Sequence, residues 1–176
     1  MKEKTSLQIV RKLLFFFIIS LAVSGATAMP VDSELSFLLS FVSPHSLCGI
    51  WGAKVLKSYQ AVQQQYPFLL YGYDWLAFAH FVLAILFIGP YRDPVKNSWV
   101  VTFGLIACVL IIPFAFVTGS LRGIPFWWCL IDCSFGVVGF AVLYPCYKNI
   151  QLLTPKTLAQ TFSNTHIAIK SPIVIQ

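Results

Sequence analysis

Apolar positions in this chain fall into four long runs, at 13–29, 74–91, 99–118 and 126–147. Each approaches or meets the roughly 17–25 residues a helix needs to cross a bilayer. The runs are continuous and do not alternate, which predicts helices and not barrel strands. Aromatic residues gather at their ends: Tyr71, Tyr73 and Trp75, then Tyr91 and Trp99, then Trp127 and Trp128, then Tyr144 and Tyr147. Such a distribution is expected where rings anchor helices at a membrane surface.

Between the first two runs, residues 30–73 form the one sizeable polar connection. Within it Trp51, Val55, Tyr59, Val62 and Tyr66 recur at steps of three or four, with Lys54, Lys57, Gln60, Gln63 and Gln64 elsewhere. This spacing predicts an amphipathic helix that lies on the membrane surface or caps the bundle, or else docks a partner. The apolar segment 35–42, LSFLLSFV, is too short to span and is expected to dip into the interface. The links 92–98 and 119–125 are short, so consecutive helices should be antiparallel neighbours. The tail 148–176 is rich in Thr, Ser, Gln and Asn without sustained periodicity, and is expected to be mobile or loosely attached. The fold class expected is all-α: an integral membrane bundle of four transmembrane helices plus an outer amphipathic helix.

Composition strengthens this picture. Apolar residues make up 58% and charged residues 10%, too few charges to cover a water-exposed surface. The net charge of +6 does not form a basic stripe interleaved with aromatics, so no nucleic-acid partner is expected. The charges read as topology. With the N-terminus (1–12) cytoplasmic, the inner segments hold nine basic residues: Lys2, Lys4, Arg11, Lys12, Arg92, Lys96, Lys148, Lys156 and Lys170. The outer segments hold three, Lys54, Lys57 and Arg122, a bias that places both termini inside. The first run leaves two readings open. Its basic start, short apolar core and Ala26-Thr27-Ala28 also fit a secretory signal, so 13–29 is either a retained signal-anchor helix or a cleaved signal.

Small residues recur at helical spacing inside the runs. Asp132, Gly136 and Gly139 share a stripe flanked by Cys129 and Cys133; Gly104, Cys108, Ile111 and Ala115 share another; Ala77, His80 and Ala84 a third. Ser20, Ser24 and Gly25 cluster in the first run. Stripes of small residues let membrane helices approach closely, so Asp132 and His80 are expected to face neighbouring helices and not lipid. His80 lies roughly 8 Å below Trp75 and Asp132 about 9 Å below Phe126, both near the outer face, with Asp74 and Arg122 just above. The candidate polar cluster is therefore Asp74, His80, Arg122 and Asp132. An Asp–His pair in a low-dielectric site can relay a proton or hold a ligand's polar group. The plain alternative is that Asp132 is neutralised by His80 or Arg122 and locks helix register.

The five cysteines form no strong motif, since Cys129 and Cys133 are four apart and not in a C-x-x-C arrangement. Buried cysteines are ordinary packing residues; Cys48 in the outer loop could pair with Cys129 in an oxidising compartment. No lipobox precedes Cys48. Pro113 interrupts the third run and should leave the Val109 carbonyl without its usual donor, with a kink. There is no P-loop, nucleophile elbow, H-E-x-x-H or dinucleotide-binding glycine pattern, and a single histidine in the runs argues against bis-histidine haem. No catalytic, cofactor-binding or metal-ligating residue is assigned, and no cofactor is expected. The expected partners are the lipid bilayer and either a membrane-protein partner or a homo-oligomer.

The stretches DWLAFAH (74–80), GPYRDPV (89–95), LRGIP (121–125) and LIDCSFG (130–136) resemble a family of small bacterial inner-membrane proteins of uncharacterised function. The resemblance covers 71–139 and implies a bacterial four-helix protein of the inner (plasma) membrane. It supplies no activity, cofactor or catalytic residue. Two functions stay open: a structural or accessory membrane protein, and a small-ligand or proton-handling protein, such as a transporter or redox component, using the Asp/His/Arg cluster.

Overall fold

The computed structural model describes the backbone of residues 2–170 and the side chains of 5–153. All regular structure among these residues is helical: α1 (Lys2–Thr27), α2 (Val31–Leu39), α3 (Leu47–Gln65), a 3₁₀ turn (Pro67–Leu70), α4 (Tyr71–Arg92), α5 (Ser98–Arg122) and α6 (Phe126–Lys170). Four stretches are long and apolar enough to cross a membrane: Thr5–Thr27, Pro67–Arg92, Ser98–Arg122 and Phe126–Leu153. The chain divides into two compact units, one of Met1–Phe17 with Leu86–Gln176 and one of Ile18–Ile85.

The first unit is built on the α5–α6 hairpin. Along α6 the buried positions are Cys129, Cys133, Gly136, Gly139, Leu143, Cys146, Ile150 and Leu153. Steps of three and four averaging close to 3.5 make a narrow seam of the coiled-coil kind. Opposite it α5 buries Val100, Val101, Gly104, Cys108, Ala115 and Gly119. A side chain added at Gly104 would meet Leu143, one at Gly136 the Cys108 backbone, and one at Gly119 Cys129, so the helices run antiparallel. From α1, Val10 and Leu14 are fully buried. The Cys146 thiol donates a long bond to the Val10 carbonyl, with S···O 3.9 Å. Phe17 packs on Phe87 of α4 with ring centroids 4.7 Å apart. α5 continues through Pro113 as one helix.

Both short connections of this unit have a local cause. After α5, Gly123 takes a left-handed conformation with φ of 65°. Ile124 N–H then donates to the Gly119 carbonyl at 2.9 Å and Gly123 N–H to Ser120 at 3.5 Å. This is the Schellman closure, which satisfies carbonyls a helix end leaves free. After α4, the Asp93 carboxylate accepts from Lys96 N–H at 3.0 Å. The Asn97 amide donates to the Gly89 carbonyl at 3.2 Å and to the Asp93 carbonyl at 3.0 Å, tying the start of α5 to the end of α4.

One expectation fails here. The helix that begins at Phe126 does not stop near 147 but runs to Lys170, with Ile150 and Leu153 buried. The helix continues through Pro155 and the Thr-, Ser- and Asn-rich residues after it, whose propensity is poor, and no glycine intervenes to stop it. The last part of the expected tail, 171–176, lies outside the described residues.

The second unit holds the end of α1, then α2, α3, the 3₁₀ turn and most of α4. Ser46 caps α3 by accepting from Gly49 N–H at 3.0 Å. α2 folds back on α3, where Gly52 leaves room for Leu39, and Gln60 donates to the Asp32 carboxylate at 2.8 Å. On α3 the half-buried positions include Trp51, Val55, Tyr59 and Val62, while Lys54, Lys57, Gln60, Gln63 and Gln64 are exposed. The predicted amphipathic helix is present, except that Tyr66 leaves the stripe. It stands just past the helix end with φ of −140° and is exposed. Gly25 of α1 lies against α4, where an added Cβ would stand 3.0 Å from the Ala77 carbonyl oxygen and 3.1 Å from His80 Cβ.

Candidate functional site

The four residues of the sequence-derived cluster are distributed over both units. Asp74 and His80 stand on α4 in the unit Ile18–Ile85; Arg122 and Asp132 stand on α5 and α6 in the other. Each pair has its own geometry.

Asp74 lies in the first turn of α4 and is exposed. His80 is six residues on, so helical geometry turns it about 120° away from Asp74. Its Cβ stands at the close approach of Gly25, and the residue is half-buried. His80 Nδ1 lies 2.7 Å from the Leu76 carbonyl oxygen. A carbonyl only accepts, so Nδ1 carries the proton and donates. Nε2 is thereby left as the atom able to accept a proton or meet a ligand.

Asp132 is half-buried beside the α6 seam, whose centre is Cys129, Cys133, Gly136 and Gly139. The sequence pattern expected Asp132 in the stripe with the cysteines flanking it; the packing reverses these roles. A 3.5-residue seam drifts relative to the ideal 3.6 period, and the contact with α5 selects the smaller side chains. Arg122 is exposed in the last turn of α5, where a cation complements the helix C-terminus. Among the described residues no ion pair joins Arg122 to Asp132.

All five cysteines are free thiols, Cys48 exposed and Cys108, Cys129, Cys133 and Cys146 buried. The buried four serve as small packing residues: Cys108 under Gly136 and Gly139, and Cys129 against Gly119.

A second feature of α4 joins two belt residues, Tyr71 and Trp75, to Asp74 of the candidate cluster and to Phe78. Tyr71, Asp74, Trp75 and Phe78 line a shallow open groove. Tyr71 and Trp75 meet edge to face at 5.9 Å, and Trp75 and Phe78 at 5.6 Å. The signal in the sequence was the spacing of these four, which puts three rings and a carboxylate on one helical face. Nearby, Tyr59 of α3 packs edge to face on Tyr73 at 5.9 Å. Burial first, then the charges of Tyr73, Asp32 and Asp74, push the Tyr59 phenol above its usual pKa.

No protein-family model matches the chain, and no curated protein or solved structure gives a significant match.

Proposed function

We propose that the protein is a multi-pass membrane protein of the bacterial inner membrane with a structural or accessory role, its α-helices forming a four-span bundle with α3 on the outer surface. One observation carries the reading. Within the most apolar window of each spanning helix only 17%, 17%, 22% and 28% of residues are buried inside the chain. Many large apolar side chains among the remainder, including Phe15, Phe78, Ile85, Phe114 and Phe135, are exposed. A monomer in water does not carry contiguous apolar area on this scale, whereas lipid and apposed membrane helices cover it. The nine-to-three basic bias supports cytoplasmic termini. The burial of Val10 and Leu14 supports retention of α1 as a span, because a removable signal has no need of a matched packing surface.

Alkaline carbonate extraction of membranes tests the reading: the chain is expected in the pellet, and recovery in the supernatant refutes it. Labelling of intact cells, with the outer membrane permeabilised, by a charged maleimide tests the orientation. Cys48 is expected to react and the Cys48→Ser variant not to; labelling only after lysis reverses the topology. For the accessory role, the expected outcome is a native complex larger than the 19.7 kDa chain after mild extraction; a detergent-bound monomer at endogenous abundance contradicts it.

A second reading, proton or small-ligand handling, is favoured by the half-buried Asp132 within a span and by the free Nε2 of His80. Asp132→Asn and His80→Gln that fold normally and leave the cellular phenotype unchanged would eliminate it.

A further inference from the structure

The aromatic groove of α4 has the chemistry of a cation site. Tyr71, Trp75 and Phe78 are 59%, 55% and 56% exposed, so more than half of each side chain is open to a ligand. Between them stands the Asp74 carboxylate, which has no hydrogen bond or ion pair among the described residues. The open space above the four side chains is about 240 Å³. Ring faces carry negative quadrupole density and attract organic ammonium groups, and a carboxylate beside them adds full charge complementarity.

The surrounding charge favours the same ligand. The chain as a whole is +6. The unit Ile18–Ile85 nevertheless carries Asp32, Glu34 and Asp74 against Lys54 and Lys57.

The shape identifies the source of the cation. Below Phe78 the same face of α4 continues with Val82 and Ile85, exposed at 45% and 65%. A polar, anionic head above an apolar strip matches a molecule with a cationic head and a hydrocarbon tail, lying along the helix. A soluble amine would leave the strip unused.

We propose that Tyr71, Asp74, Trp75 and Phe78 hold the ammonium group of a zwitterionic phospholipid, with an acyl chain along Val82 and Ile85. This rests on the membrane reading above. Only the ammonium is recognised, so an anionic lipid of the same acyl composition is disfavoured.

Native mass spectrometry of the purified full chain in detergent, with equimolar phosphatidylethanolamine and phosphatidylglycerol of identical chains, tests the site. The expected result is about a fivefold preference for phosphatidylethanolamine, falling towards parity in Asp74→Asn and in Trp75→Leu. Asp74 is exposed and without a hydrogen bond among the described residues, so Asp74→Asn should fold and lose only the small first-turn charge contribution to its melting temperature. Parity in the wild type, or an unchanged preference in Asp74→Asn, overturns the proposal. Tetramethylammonium quenching Trp75 fluorescence at micromolar concentration, without any lipid preference, would assign the groove to a soluble cation and overturn the lipid source. A chain that stays in the carbonate pellet but shows parity loses the lipid site alone; a chain in the supernatant loses the membrane reading.

Discussion

The Cβ that Gly136 lacks would stand 2.6 Å from the carbonyl oxygen of Cys108. α6 therefore touches the backbone of α5 itself, not a side chain that could turn away. Gly136→Ala must push the helices apart or bend one of them. A loss of about 1–3 kcal/mol is expected, as for other overpacked interiors. Thermal unfolding in detergent should register it, with Gly72→Ala as the contrast. An added Cβ at Gly72 meets nothing within 4 Å, so that change should stabilise α4 by about 0.5–1 kcal/mol through helix propensity.

The α5–α6 turn depends on one backbone conformation. Gly123 has φ of 65° with open space around it, so substitution there costs conformation and not sterics against a neighbour. Gly123→Ala is expected to lower stability by about 1–2 kcal/mol, and Gly123→Asn by less, because asparagine tolerates the left-handed region better. Equal losses for the two would contradict the Schellman closure as the cause.

Asn97 holds the α4–α5 link through its two bonds to the Gly89 and Asp93 carbonyls. Asn97→Ala should cost about 1–2 kcal/mol in the same unfolding measurement. Faster hydrogen exchange at the start of α5 should accompany it.

Tyr59 predicts a pH dependence. Its folded pKa is raised above the usual value of 10.0, chiefly by burial. The folded state then holds the phenolic proton more tightly than the unfolded state does. This contribution is fully present below pH 10 and is lost as pH rises through the folded pKa. Stability measured from pH 9 upward should fall more steeply for the wild type than for Tyr59→Phe; identical slopes would show that the phenol does not titrate with folding.

Much of the fold was legible because a helix of spanning length shows its apolar character and its extent within its own segment. The four apolar runs, the amphipathic helix through Trp51, Val55, Tyr59 and Val62, and the turn at Gly123 each follow from local periodicity or local backbone preference. Of the expected stripe Gly104, Cys108, Ile111 and Ala115, the three small residues are buried and Ile111 is exposed. Asp132 was not placed correctly relative to Cys129 and Cys133, since adjacent helical positions differ only in which one a partner helix prefers. The extension of α6 to Lys170 was not legible because Pro155 and the Thr-, Ser- and Asn-rich residues around it disfavour a helix locally.

The sequence by itself determined which segments are helical and apolar enough to span, because those properties are carried by each segment alone. Only the tertiary structure decided that the seam of α6 is made of Cys129, Cys133, Gly136 and Gly139 with Asp132 at its edge. The physical reason is close approach: where one helix rests on another's backbone, the smallest side chains must occupy the contact, and a carboxylate is displaced to its margin. The groove around Asp74 likewise emerges from ring orientations that spacing permits but does not dictate.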